Sequence, residues 1–221
     1  MDKYYANHQN LRYLMPSSRT KNKTRGASAN CVFIIEHLEP RLSRWCMIEY
    51  KRISKITGKN NLWFTNISSR SDRSKLSKLG KVFKESVKSM ALKYACVLDP
   101  DSDITLTTSD KDRFRYFILG GILGDYPPGK RTKNELTKFL PNTQSRNIGK
   151  KQFSTDNAVW VVNEIINNNR NFDDLIFKNK IEIKINGVES VILPYCYPAD
   201  NKGKPLIPPK IISLLKKKKS F

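Results

Sequence analysis

Between Leu119 and Thr132 the chain reads LGGILGDYPPGKRT, a loop-forming run directly after the apolar stretch Tyr116-Phe117-Ile118-Leu119. Gly120, Gly121 and Gly124 can adopt backbone angles closed to other residues and let main-chain groups approach a flat ligand. Pro127 and Pro128 then fix the turn, and Asp125, Lys130 and Arg131 add charge of both signs. The spacing is neither GxGxxG nor a P-loop, so phosphate binding is not specified. A tight strand-to-helix turn would use the same residue types. A second loop, GKKQFST at 149–155, precedes another apolar helical pattern. Acids follow the first apolar run as well: Glu36 and Glu39, with His37 between them as a candidate proton acceptor.

The elements that must carry these loops are short and alternate in type. CVFII at 31–35 reads as a buried strand, followed by a turn through Glu36–Pro40 and a helix burying Leu42, Trp45, Ile48, Ile53 and Ile56, with Gly58 as its stop. Leu62-Trp63-Phe64 predicts a second strand and Ser74–Met90 a helix with a lysine-dense face. Ala95-Cys96-Val97-Leu98 predicts a third strand, ended by Asp99-Pro100, and 116–119 a fourth. Thr132–Leu140 reads as a short helix, with a brief segment at Gln144–Ile148 after it. A helix starts near Ser154–Asp156 and buries Ala158, Val162, Ile165 and Ile166. Ile181, Ile183 and Ile185 alternate with Glu182 and Lys184 before Asn186-Gly187, and Val188–Leu193 returns, which predicts a hairpin. Pro205–Pro209 leads into a last short helix. Short apolar strands alternating with helices predict an α/β fold around a mostly parallel sheet with helices on both faces.

With 221 residues and 38% hydrophobic composition, the sequence predicts one domain at 31–221 behind a basic, flexible extension at 1–30. No stretch approaches a membrane span, and the amino terminus lacks the apolar segment of a secretory signal, so the expectation is a cytoplasmic protein without membrane attachment. Cys31, Cys46, Cys96 and Cys196 are far apart with no CxxC pair, which suggests neither a zinc site nor a disulfide framework and no metal. The formal net charge is +21. Residues 1–30 carry six Lys/Arg against one acid, 70–93 eight against two, and 200–221 seven against one, leaving the middle nearly balanced. Such a field attracts polyanions, so RNA or a ribosome, and less well a membrane surface, is the expected partner, with RNA reached through the basic tails; lysine-rich solvated tails would give the same charge.

IIEHLEPRLSRW at 34–45, VLDP at 97–100, FILGGILGDYPP at 117–128, IGKKQFSTDNA at 148–158 and GKPLIPP at 203–209 resemble, in order, the signature segments of a branch of the SPOUT methyltransferase superfamily. That branch was catalogued as RNA methyltransferases and includes a eukaryotic arginine methyltransferase acting on a small-subunit ribosomal protein. The resemblance covers about 31–215. It implies an α/β domain whose carboxy-terminal part forms a trefoil knot, with S-adenosyl-L-methionine as cofactor and S-adenosyl-L-homocysteine as product. It assigns the cofactor walls to Leu119, Gly120, Gly121, Ile122, Leu123, Gly124 and Asp125, to Asn147, Ile148, Gly149, Gln152, Phe153, Ser154 and Thr155, and to Asp99 and Pro100. Three positions depart from the family pattern: Tyr126 for a histidine, Arg146-Asn147 for an arginine pair, and Asn157 for a threonine. The first two are expected near the substrate entrance.

Methyl transfer from a sulfonium needs alignment and management of one proton. A guanidinium nucleophile, with its pKa above about 12, needs carboxylates to hold and neutralise it. Glu36, Glu39 and Asp125 are the candidates, with Glu36 and Glu39 alternatively capping the helix that follows. His37 is a candidate proton acceptor, and Arg131 a partner for Asp125 or for the cofactor carboxylate. The leading expectation is monomethylation of an arginine on a small-subunit ribosomal protein or ribosome. RNA methylation by the same fold is the alternative, and a ribosome-assembly factor without activity the third reading.

Overall fold

A computed structural model describes residues 31–218, so the extension expected at 1–30 lies outside the described residues. Six strands form one sheet in the order β3-β2-β1-β5-β4-β6: β1 Val32–His37, β2 Leu62–Thr65, β3 Lys81–Val82, β4 Ala95–Leu98, β5 Tyr116–Gly121 and β6 Gln144–Arg146. Every pairing among them is parallel. The central strand β1 is buried along its whole length because both its faces are covered, which is why it reads as an unbroken apolar run.

Alternate side chains feed two cores. Phe33, Ile35, Phe64, Cys96, Phe117 and Leu119 point to the face covered by α1 (Arg44–Thr57) and α4 (Thr155–Ile166). Val32, Ile34, Val97 and Ile118 point to the other, covered by Val87 and Leu136 with Met90, Leu92 and Leu140. Helices were expected on both faces, yet this second cover is built from single turns at Val87–Ser89 and Thr137–Phe139 and from the five-residue α3 (Arg131–Glu135).

Ser43 caps α1 by accepting from the Cys46 amide at 3.1 Å, so neither Glu36 nor Glu39 has that task. The expected helix over Ser74–Met90 is corrected: α2 spans only Arg70–Leu76, and β3 and a single turn follow. Gly80 is the cause. A Cβ there would sit 2.5 Å from the Leu62 carbonyl oxygen, so the backbone packs directly on β2 and enters the sheet as an edge strand. The hairpin is longer than its sequence signal, with β7 (Phe177–Lys184) and β8 (Ser190–Pro198) antiparallel and a register shift at Asn179/Ile181. It packs with Trp45 of α1 and with Ile212 and Leu215 of α5 (Pro209–Lys218). Among the described residues no helix is long and apolar enough to cross a membrane.

Candidate active site

Beyond the carboxyl ends of β4 and β5 lies a cavity of roughly 220 Å³, the position where open parallel sheets bind ligands. Leu98, Leu119, Ile122, Ile148, Phe153 and Ala158 form its apolar walls; Gly120, Gly124 and Pro128 bring backbone to it. Asp99, Pro100, Asp101, Asp125, Lys130, Arg131, Thr132, Lys150, Lys151, Gln152 and Thr155 supply polar groups or edges. The Asp99 carboxylate is fixed by the Asp101 amide at 2.9 Å and the Thr137 hydroxyl at 2.6 Å. Asp101 was not anticipated from sequence. Its Oδ2 is buried without a hydrogen bond; the Lys130 and Lys133 ammonium groups stand at 3.4 and 3.7 Å, near enough for attraction only.

Of the residues expected to wall this cavity, Gly121, Leu123, Asn147, Gly149 and Ser154 do not line it. A Cβ on Gly121 would overlap the Tyr50 hydroxyl and lie 3.0 Å from Ile35, so this glycine admits α1 against the sheet and does not face the ligand space. Asn147 is buried and shapes the second loop, donating to the Ser102 carbonyl at 2.9 Å and accepting from the Gly149 amide at 3.0 Å. Gly149 has φ 87° and lies against the Phe172 ring. Leu123 and Ser154 line a second, larger cavity of roughly 1020 Å³, which shares Ile122, Gly124 and Phe153 with the first.

The expected catalytic acids are placed unequally. Glu36 is fully buried and accepts from Thr65 Oγ1 and Ser86 Oγ, both at 2.5 Å, and from the Val87 amide at 3.0 Å. It ties β1 to β2 and to the segment beyond β3; no substrate reaches it. His37 is also a correction: 6% exposed, it shares a 2.8 Å hydrogen bond with the Tyr50 hydroxyl, lines neither cavity, and burial lowers its pKa so that the neutral ring is favoured. Glu39 accepts from the Leu123 amide at 2.9 Å and from Arg131 Nη1 at 2.8 Å. Arg131 also reaches Glu135 at 2.7 Å and Asp125 at 3.9 Å, and the Glu135 hydrogen bond first, then Glu39, holds its charge firmly. These two side chains clamp the end of β1 to the glycine loop.

Arg146, expected near a substrate entrance, is sealed at 2% exposure against Asp110, with its guanidinium over Phe114. Tyr126 is 76% exposed and lines the second cavity. Glu49 lines that cavity too and was not singled out from sequence. It is 4% exposed and accepts from Trp45 Nε1 at 2.8 Å. Burial first, then Asp156, pushes its carboxyl well above the ordinary range.

A parallel sheet with its cavity beyond the strand ends, walled by glycine backbone and apolar side chains, is the α/β arrangement that the resemblance to SPOUT methyltransferases implies. The family model described as protein arginine N-methyltransferase SFM1-like matches residues 32–220, and the chain belongs to that family. It is 36% identical over 201 residues to protein arginine N-methyltransferase SFM1 of Saccharomyces cerevisiae, covering 84% of this chain and 94% of the relative. The crystal structure of the yeast enzyme complexed with SAM superposes with a TM-score of 0.81 at 34% identity, covering 89% of this chain and 95% of that one. A Trm10 of Thermococcus kodakaraensis shares the fold at 15% identity, with a TM-score of 0.52 over 65% of this chain and 96% of its own.

Proposed function

We propose that the chain transfers one methyl group from S-adenosyl-L-methionine to an arginine of a small-subunit ribosomal protein in the cytoplasm, leaving S-adenosyl-L-homocysteine. One observation carries the reading: two cavities share a wall at Ile122, Gly124 and Phe153, one suited to the cofactor and one open to a larger substrate. The first cavity fits the cofactor by its donor set. Its apolar walls suit adenine, the Asp101 oxygen, which makes no hydrogen bond, suits ribose hydroxyls, and Lys130, Arg131 and Lys150 suit a carboxylate. When bound, the cofactor supplies an electrophilic methyl group.

The chain's own part is positioning. The clamp of Arg131 with Glu39 and Glu135 holds the glycine loop, and Thr155 bridges the Gly120 and Ile122 carbonyls at 3.4 and 3.3 Å where the cavities meet. The basic surface supports ribosomal association. Incubation with labelled cofactor and ribosomes, followed by ribonuclease or protease, tests the reading. Label that survives ribonuclease and is lost to protease is expected; the reverse defeats the protein substrate and favours RNA.

A further inference from the structure

A guanidinium substrate needs a carboxylate free to face it, and none of the acids expected for that task lines the larger cavity. Glu36 is buried and held by three donors, Glu39 is shared between Leu123 and Arg131, and Asp125 lines the cofactor cavity, half exposed and 3.9 Å from Arg131. Glu49 differs in every respect. It lies on α1, nine-tenths buried, on the wall of the larger cavity. Trp45 donates to it and Thr155 lies nearby, whereas a carboxylate offers about four acceptor positions.

Thr155 also lines the cofactor cavity, and the two cavities share Ile122, Gly124 and Phe153, so the space that Glu49 lines adjoins the cofactor's. Trp45, Tyr126 and Tyr195 line the same cavity as Glu49, and aromatic faces suit a planar cation. The Tyr195 hydroxyl donates to the Gly124 carbonyl at 2.6 Å, which fixes that ring beside the shared wall.

We propose that the larger cavity is the substrate-arginine site and that Glu49 is the carboxylate that holds the guanidinium and takes its proton on methylation. The assignment rests on the arginine-methylation reading above. In the step, an N–C bond forms at the guanidinium while the methyl's S–C bond breaks. The electron pair of that bond stays on sulfur, and the N–H proton passes to Glu49 and is released to water with the product. Burial already raises the proton affinity of this carboxyl, which suits it to accept. Asp156 lies close but is engaged by Arg52, and so leaves the role to Glu49. Arg44 and Lys217 line the cavity as exposed cations, screened by salt in a way the buried carboxylate is not.

The test uses the whole protein, labelled S-adenosyl-L-methionine and purified ribosomal small subunits. Glu49→Gln should lose roughly 10²-fold or more in turnover, as expected for a positioned base, while calorimetric affinity for the cofactor stays within a factor of about two. Ile192, half exposed on β8 and on the cavity wall, supplies an independent sign test. Ile192→Arg should raise KM roughly tenfold by like-charge repulsion and Ile192→Glu should lower it; equal effects of the two charges would overturn the assignment. Turnover of Glu49→Gln close to wild type, or loss of cofactor affinity in step with turnover, would overturn the assignment while label in protein kept the arginine reading intact. Wild-type label in RNA would overturn both.

Discussion

Keeping Glu49 buried without a dedicated cation costs the fold stability, and that cost can be measured. Its carboxyl is raised first by burial and then by Asp156, against smaller opposing effects of the Trp45 hydrogen bond, Arg52 and Thr155; Tyr195 and Tyr197 face it from β8. An acid whose pKa is raised on folding stabilises the native state fully below the unfolded value of about 4.3. That contribution is lost as pH rises through the folded value. Glutamine keeps an acceptor for Trp45 and cannot ionise. Glu49→Gln should therefore melt with the wild type near pH 4 and above it near pH 8; a lower melting temperature near pH 8 would mark the carboxylate as a net stabiliser. At this scale the sequence brought out residues that share one cavity, since Gly120, Ile122, Gly124, Ile148, Gln152, Phe153 and Thr155, with Asp99 and Pro100, line it together. The acids were not. Sequence places Glu36 at the end of an apolar strand, but its partners Thr65, Ser86 and Val87 lie 29 to 51 residues away. Glu49 had one signal, its four-residue spacing from Trp45 on a helix whose buried side includes Cys46, Tyr50 and Ile53.

Helices α1 and α4 are joined by Arg52, which donates to Asp156 at 2.5 Å and to Asn157 at 2.7 Å, more than a hundred residues along the chain. Asp156 is 2% exposed at its side chain and lies near Glu49, so this cation offsets two buried acids. Arg52→Leu should destabilise the protein by about 3–5 kcal/mol, the range for breaking a buried pair from one side. Denaturant unfolding should show a lower midpoint with an unchanged slope. A loss below about 1 kcal/mol would place the pair among weak surface bridges. At this scale β1, β2, β4, β5, α1, α4 and the hairpin followed from periodicity and turn residues. The segment 74–90 did not, since Leu76, Leu79, Val82 and Val87 recur at near-helical spacing while Gly80, in contact with the Leu62 carbonyl, turns the chain into an edge strand. Contact between two backbones distant in sequence leaves no periodic trace.

The proposed substrate site and a cluster of lysines over aromatic rings lie on different sides of the sheet. The face of α1 and α4 bears Glu49, whereas on the opposite face Lys81 lies over Trp63 and Phe83, and Lys88 and Lys138 over Phe139. Cations spread over rings, of which Phe139 is exposed, in a chain of net charge +21, suit a ribosomal RNA surface more than an arginine-bearing segment. Replacing Lys81, Lys88 and Lys138 by Gln should weaken ribosome association and flatten its salt dependence by about 0.7–0.9 logarithmic units for each phosphate no longer neutralised. Cofactor affinity should not change. An unaltered salt slope would exclude that face from binding. The destination of the methyl group decides between protein and RNA as substrate, and mass spectrometry of ribosomal small subunits after incubation with the protein and S-adenosyl-L-methionine reads it directly. A single methyl group on an arginine of a small-subunit protein is expected, absent when Glu49→Gln replaces the wild type. A methyl group on a nucleotide, or on arginine to the same extent with either protein, would contradict the assignment.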